Sequence, residues 1–278
     1  MSGLGAATAP TPARPRVVTP LASVLLAPNP GPMTLEGTNT WLLRDGPADA
    51  SARAGGPADG AIVVDPGPDD ADHLAAVAAA GPVTLILLTH GHRDHSAGAR
   101  ALHDLTGAPV RALDPAHRYG GEGLTGGETV VAGGVTVTVI ATPGHTSDSL
   151  SFLLTGPGAA PAVLTGDTIL GRGSTVVAHP DGRLADYLRS LERLRQLGET
   201  GVLPGHGREL PAAGPAAEHY LAHRRERLEQ VRAARAAGDI TPADVVRRVY
   251  ADVDPALWPA AELSVRAQLD YLADQAER

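Results

Sequence analysis

Short apolar runs broken by polar turns dominate the chain from Val17 to Pro211, and the runs have the length and composition of strands. AIVVD (61–65), VTLILLTH (83–90) and VTVTVIATPGH (135–145) are the clearest, and APAVLTGD (160–167) and GVLPGH (201–206) have the same form. All are rich in Val, Ile, Leu and Thr, and Gly or Pro punctuates them. Helical windows lie between some of them. DDADHLAAVAAAG (69–81) opens on acids and closes on a glycine, as the helix dipole and C-cap geometry favour. SAGARALHDLTG (96–107) and LADYLRSLERLRQLG (184–198) repeat their apolar positions every 3.6 residues or so. Strands and helices that alternate over one continuous stretch predict a layered α/β architecture. From Pro215 the texture is helical only. One helix is predicted from Pro215 to Gly238 and a second from the Thr241 cap through Tyr250. A third runs from Pro259 to Glu277, with Val265, Leu269 and Leu272 on one face. The pattern divides the chain into a disordered tail (1–16), a main domain (17–212) and a small helical unit (213–278), with a low-complexity insert at 48–60.

At 278 residues and 43% hydrophobic content the chain can bury a core without staples. Every one of its 23 basic residues is Arg, and 31 acids leave a formal charge of −8. That balance argues against broad, charge-driven binding to nucleic acid or membrane, while leaving room for a local basic groove. Zero Cys removes disulfides, thiolate metal sites and cysteine nucleophiles together. No apolar run reaches the roughly 18–20 residues that span a bilayer. The opening MSGLGAATAPTPARPR lacks the apolar stretch of a secretion signal, so a cytoplasmic protein without a membrane partner is expected.

The chemistry-bearing residues sit where strands run out. VTLILLTH ends in THGHRDH, which supplies His90, His92, Asp94 and His95. Imidazole and carboxylate are the donors that zinc and similar divalent ions accept. A two-residue step in extended backbone points His90 and His92 the same way, so the two can grip one ion. Asp94 and His95 follow the strand, at the start of the next helix, and can face a neighbouring ion. Further strand ends at PGHTSDS, TGD and LPGHG supply His145, Asp167 and His206. Seven donors thus come from four strand ends, the edge at which α/β folds place their sites. The remaining histidines (His73, His103, His117, His179, His219 and His223) are expected to face solvent or to be satisfied by backbone hydrogen bonds. Arg172, in the GRGST turn beyond Asp167, is a candidate contact for a substrate anion.

THGHRDH, PGHT, GDT and PGHG together resemble the metal motifs of the metallo-β-lactamase superfamily. The resemblance implies an αββα sandwich with its site at one edge of the two sheets. By that resemblance His90, His92 and His145 hold one ion, Asp94, His95 and His206 hold a second, and Asp167 bridges. Asp65, in VVDPG, supports a ligand imidazole from behind. The segments NPGPMTLEGTNTWLL (29–43) and GDTILGRGSTVV (166–177), with the C-terminal helices, are similar to the lactamase-β-like-protein-two family. That family includes single-strand endoribonucleases and has polyketide-releasing thioesterases as near relatives. It implies a small C-terminal winged-helix-like domain, whose β wing is expected to be short or missing. It also places the 29–40 loop beside the site, with Asn39 and Thr40 as candidate substrate contacts.

The expected activity is hydrolysis by a hydroxide that bridges two divalent ions, Zn²⁺ first and Mn²⁺ or Fe²⁺ as alternatives, with Asp94 as the proton acceptor. The absence of a G-x-S-x-G elbow and of Cys fits a reaction without a protein nucleophile. The charge of such a centre, roughly +1, would draw an anionic substrate. Single-stranded RNA is expected, a thioesterase or hydroxyacylglutathione-hydrolase-like activity on an acyl thioester is the alternative, and a non-enzymatic binding module is a distant third. Only 38 residues separate Asp167 from His206, which excludes superfamily nucleases with a large domain inserted there. Residues 215–278 carry nine Arg against eleven acids, so any phosphate contact through them has to be local, in the stretch Arg224–Arg235. The amphipathic C-terminal helices can pack on their own domain or join a homo-oligomer.

Overall fold

A computed structural model of the chain describes residues 14–46 and 60–277. Most of the predicted tail and of the 48–60 insert lies outside the described residues, and Arg16 already belongs to the first strand.

The elements run β1 (Arg16–Thr19), β2 (Ala22–Leu26), β3 (Asn39–Leu43), β4 (Ala61–Val64), α1 (Ala71–Ala79), β5 (Val83–Leu87), α2 (Arg93–Ser96), α3 (Ala99–Thr106) and β6 (Val110–Arg111). They continue with β7 (Thr129–Ala132), β8 (Val135–Ala141), β9 (Leu150–Thr155), β10 (Ala162–Gly166), α4 (Leu184–Arg195) and β11 (Gly201–Pro204), and end in α5 (Ala213–Ala236), α6 (Pro242–Val249) and α7 (Trp258–Ala276). Strands β1 to β6 form one sheet in sequential order, and a second has the order β11-β10-β9-β8-β7. The parallel pairs β4–β5, β5–β6 and β10–β11 are the ones bridged by helices, since a parallel step needs a crossover and an antiparallel one does not.

Side-chain alternation explains why the central runs read as continuously apolar. Trp41, Leu43, Ile62, Val64, Leu85 and Leu87 face the second sheet, where they meet Val137, Val139, Phe152 and Leu164. Their neighbours Leu42, Val63 and Ile86 turn outward onto Leu74, Val77 and Leu102 of α1 and α3. Val163 and Val202 do the same against α4, α5 and α7. Strands covered on both faces have no polar side. In β8 only Val135, Val137 and Val139 are buried, while Thr136 and Thr138 stay partly exposed, and the sequence accordingly alternates. The result is helices, two sheets and helices in four layers, the αββα sandwich, with a C-terminal helical unit.

Helix α5 serves both parts. Ala213, Ala217, Tyr220 and Leu221 belong to the outer layer over the second sheet, whereas Val231 and Ala234 join Val245, Val246 and Val265 of α6 and α7 in a separate cluster. Thr241 opens α6 with a reciprocal cap to Asp244, whose backbone N–H and carboxylate both engage it. Past Pro211 the described residues contain helices only, and no helix is long and apolar enough to cross a membrane.

Candidate metal centre

Seven side chains meet at the edge where β5, β8, β10 and β11 end. The β5 ladder stops at Leu87, so His90 and His92 stand on the turn beyond it rather than on the strand. His92 keeps extended backbone (φ −60°, ψ 142°) and caps α2, which carries Asp94 and His95. His145 follows β8, Asp167 follows β10 and His206 follows β11.

The donor atoms fall into two groups that share Asp167. His90 Nε2 lies 3.1 Å from His92 Nδ1, which is 2.9 Å from His145 Nε2. In the second group His95 Nε2 and His206 Nε2 are 3.2 Å apart, and Asp94 Oδ2 is 3.4 and 3.1 Å from them. Asp167 Oδ2 lies between the groups, 3.4 Å from His206 Nε2 and 3.8 Å from His145 Nε2.

The outer face of the cluster fixes which ring nitrogen points in. His145 Nδ1 donates to the Val176 carbonyl at 2.6 Å, and His206 Nδ1 to the Gly37 carbonyl at 3.1 Å. His95 Nδ1 donates to Asp65 Oδ2 at 2.8 Å. His90 Nδ1 donates to Thr89 Oγ1 at 3.0 Å, and that hydroxyl donates on to Asp65 Oδ2 at 2.7 Å. Four imidazoles are thus tethered through Nδ1, leaving Nε2 lone pairs aimed at one another. Such an arrangement needs a proton or a cation between the nitrogens. Among the described residues the buried Asp167 Oδ1 has no hydrogen-bond partner, and it lies 3.4 Å from His95 Nε2. Donors held about 2.0–2.2 Å from a tetrahedral ion sit roughly 3.4 Å apart, so the separations fit two divalent ions. His90, His92 and His145 could hold one, Asp94, His95 and His206 the other, and Asp167 could touch both.

Electrostatics divides the groups as well. Burial, with neighbouring imidazoles, pushes His90 well below the ordinary imidazole value, and burial takes His145 down to about 4. Burial acts the same way on His95 and His206, but the carboxylates beside them reverse it. Asp167, Asp65 and Asp94 carry His95 well up, and Asp167 with Asp94 takes His206 to about 9. Against the rise that burial would cause, His95 and the hydrogen bond to His206 hold Asp94 at about 2. Without metal His90 and His145 are neutral imidazoles, whereas the carboxylates favour the protonated forms of His95 and His206.

Two of the three candidate substrate contacts, Asn39 and Thr40, turn inward, and the third, Arg172, stands on the rim. Asn39 and Thr40 lie in β3, not in a loop, and are buried. Asn39 Nδ2 donates to the carbonyls of Pro204 (3.0 Å) and Gly207 (2.8 Å), bracing the turn that carries His206. Thr40 Oγ1 meets His73 Nε2 at 2.9 Å. Arg172 is exposed and pairs with Glu36 across the rim at 2.7 Å. The 29–38 loop is therefore a support for His206, and Gly37 (φ +138°) is required there because a Cβ would stand 2.2 Å from the Ala27 carbonyl oxygen.

Of the other histidines, His103 donates to the Ala108 carbonyl at 2.8 Å and His179 pairs with Asp270 at 2.9 Å. His117 stands against Gly91, whose Cβ would lie 2.6 Å from its Nε2. His219 and His223 line a cavity with Gly173, Ser174 and Tyr220. Sequence reasoning missed Thr89, although it opens THGHRDH, and it noted GDTILGRGSTVV without assigning Thr175 and Val176 their contacts to His145.

Comparison with known proteins agrees with this geometry. Residues 34–206 match the metallo-beta-lactamase superfamily, and residues 241–276 match the beta-lactamase associated winged helix domain. The chain is 32% identical over 262 residues to the Beta-lactamase-like protein 2 homolog of Caenorhabditis elegans, covering 89% of this chain and 82% of that one. It is 30% identical over 224 residues to an atrochrysone carboxyl ACP thioesterase of Aspergillus fumigatus, covering 77% and 65%. A beta-lactamase domain protein from Burkholderia ambifaria superposes with a TM-score of 0.77 at 25% identity, covering 98% and 91%.

Proposed function

The chain belongs to the metallo-β-lactamase superfamily, whose members are metal-dependent hydrolases, and from that premise we propose that it cleaves phosphodiester bonds of single-stranded RNA with two divalent ions, zinc being the ion its donor set suits. The observation that carries the reading is the pair of donor groups flanking Asp167: His90, His92 and His145 would hold one ion and Asp94, His95 and His206 a second, with Asp167 within reach of both groups. Two bound ions supply a water of lowered pKa and polarise the electrophile.

The chain's own residues do the rest. His90, His95, His145 and His206 present Nε2 because their Nδ1 atoms are tied to Thr89, Asp65, Val176 and Gly37. Asp94 is the most exposed of the carboxylates in the cluster, with 29% of its side chain accessible against 10% for Asp167. Ionised at neutral pH, its carboxylate can take the proton that the attacking water loses. Polar and aromatic groups flank the site on its C-terminal side, at Arg172, Ser174, His219 and His223, where an RNA strand finds partners and an acyl chain does not.

A thioesterase reading has one observation in its favour, the identity to the Aspergillus thioesterase. A paired assay separates the two. Metal-analysed protein is given a fluorescent single-stranded RNA and a generic acyl thioester, with Asp94→Asn alongside. RNA cleavage that falls by about 10²–10⁴-fold in the variant and stops on chelation is expected. Cleavage that Asp94→Asn leaves untouched belongs to a contaminant, and thioester turnover alone moves the protein to the acyl hydrolases.

A further inference from the structure

Beside the metal centre, between the turn at Gly173–Ser174 and helix α5, lies a cavity of about 260 Å³ lined also by His219, Tyr220 and His223. It is smaller than the roughly 300–1,000 Å³ of pockets that enclose a drug-sized molecule, and has room for one planar ring system. His219 and His223 are one helical turn apart and share a face of α5. His219 is exposed, and its ring meets that of Tyr220 edge-on at 6.1 Å. His223 is half-buried and its ring lines the cavity, while its Nδ1 is turned inward with no hydrogen-bond partner among the described residues.

The walls of this cavity are built into the metal centre. Ser174 precedes Thr175, whose hydroxyl lies 3.3 Å from His145 Nδ1, and Val176, whose carbonyl holds the same nitrogen. Tyr220 Oη accepts from the Leu170 N–H at 3.0 Å, three residues past Asp167, and the next N–H, of Gly171, donates to the His206 carbonyl. A group seated here is therefore registered against both halves of the cluster.

The chemistry of the cavity points to a neutral ring rather than an anion. Two cations flank His223, and both are engaged elsewhere. Arg224 donates to the Thr175 carbonyl and lies 5.0 Å over the Tyr187 ring. Arg227 donates to Gln230 Oε1 and the Val249 carbonyl and lies 4.5 Å over the Tyr250 ring. What remains for a ligand is the ring surface of His219 and His223 and the hydroxyl of Ser174. Unpaired nucleobases are recognised by such groups, stacked on rings and read at their edges.

Resting on the RNA reading above, we propose that this cavity seats one nucleobase of the substrate strand next to the scissile phosphodiester, with His219 as its stacking face, the His223 ring as a wall and the Ser174 hydroxyl as its edge contact. The test uses the full, metal-loaded chain and a set of single-stranded RNA oligonucleotides in which successive positions are made abasic. In the wild type one abasic position raises KM about tenfold with kcat within about twofold. In His223→Leu the intact oligonucleotide shows that same rise and the abasic one adds nothing further, the signature of two changes that remove one contact. His219→Ala, a surface change, moves KM in the same direction if the His223 variant fails to fold. Arg266→Ala, on the exposed face of α7, is the control that leaves both constants unchanged. An abasic penalty that persists undiminished in both variants overturns the pocket while the RNA reading stands. A wild type that turns over thioester and no RNA overturns both.

Discussion

Single atoms decide whether the second group of donors can close on an ion. Gly205 sits in the turn between β11 and His206, and a Cβ there would stand 2.7 Å from Asp167 Oδ1 and 2.8 Å from His95 Cε1. Neither neighbour can retreat cheaply. The His95 ring is pinned at Nδ1 by Asp65, and Asp65 is held in turn by the N–H and hydroxyl of Thr89 at 2.8 and 2.7 Å. Asp65 itself adopts a left-handed backbone (φ +52°), a conformation that Asp tolerates better than most residues. Gly205→Ala is therefore expected to fold, yet to bind metal at Asp94, His95 and His206 about 10–100-fold more weakly. Elemental analysis after dialysis should find one ion per chain where the parent keeps two. A variant retaining two ions and parental hydrolysis would show that the cluster has slack the distances do not suggest.

At the scale of elements, the C-terminal helices hold the segment behind His145. The Val177 N–H donates to Ser264 Oγ of α7 at 3.1 Å, and Arg224 of α5 donates to the Thr175 carbonyl, both buried. Ser264→Ala keeps the volume but leaves a buried N–H unsatisfied, a cost of about 1–3 kcal/mol that denaturant unfolding would measure. Metal held by His90, His92 and His145 should weaken with it, because Val176 carries the carbonyl that orients His145; unchanged stability and binding would separate the helical unit from the site. None of this was legible in the sequence. Of the strands named there, AIVVD and VTLILLTH carry dense apolar runs because both faces are covered, and VTVTVIATPGH shows itself by alternation because one face is not. Strand β3 went unread because NTWLL lies inside a segment whose motif drew attention to a loop, and β6 is only two residues long. The seven donors were visible because each follows a strand within a His- or Asp-bearing turn. Their tethers were not, since backbone carbonyls such as those of Gly37 and Val176 carry no side-chain signature.

Across the whole molecule, the candidate centre ties one sheet to the other. His90, His92, Asp94 and His95 come from the end of β5, and His145, Asp167 and His206 from the second sheet. An ion bound only by the folded chain stabilises it by about 2.7 kcal/mol at a free concentration of 100 Kd. How that increment varies with pH follows from the two electrostatic environments. His206 is raised to about 9 by Asp167 and Asp94, above the ordinary imidazole value near 6.5. Its proton therefore stabilises the metal-free fold fully below about pH 6.5, and that contribution is lost as pH rises through about 9. An ion at the Asp94, His95 and His206 group must expel the proton, so its affinity rises over the same interval. His90 and His145 are neutral throughout, His145 titrating only near 4, and add no such dependence. Two consequences share one cause. The melting temperature of metal-free protein should fall between about pH 6.5 and 9, and the increment on adding Mn²⁺ should grow. Calorimetric titration at pH 7 in buffers of different ionisation enthalpy should record at least one proton released per chain for the more weakly bound ion, and none attributable to His90 or His145. An increment that is flat with pH, or equal proton release from both sites, would mean that Asp167 and Asp94 do not hold His206 as an imidazolium, and that the two halves of the centre load by the same chemistry.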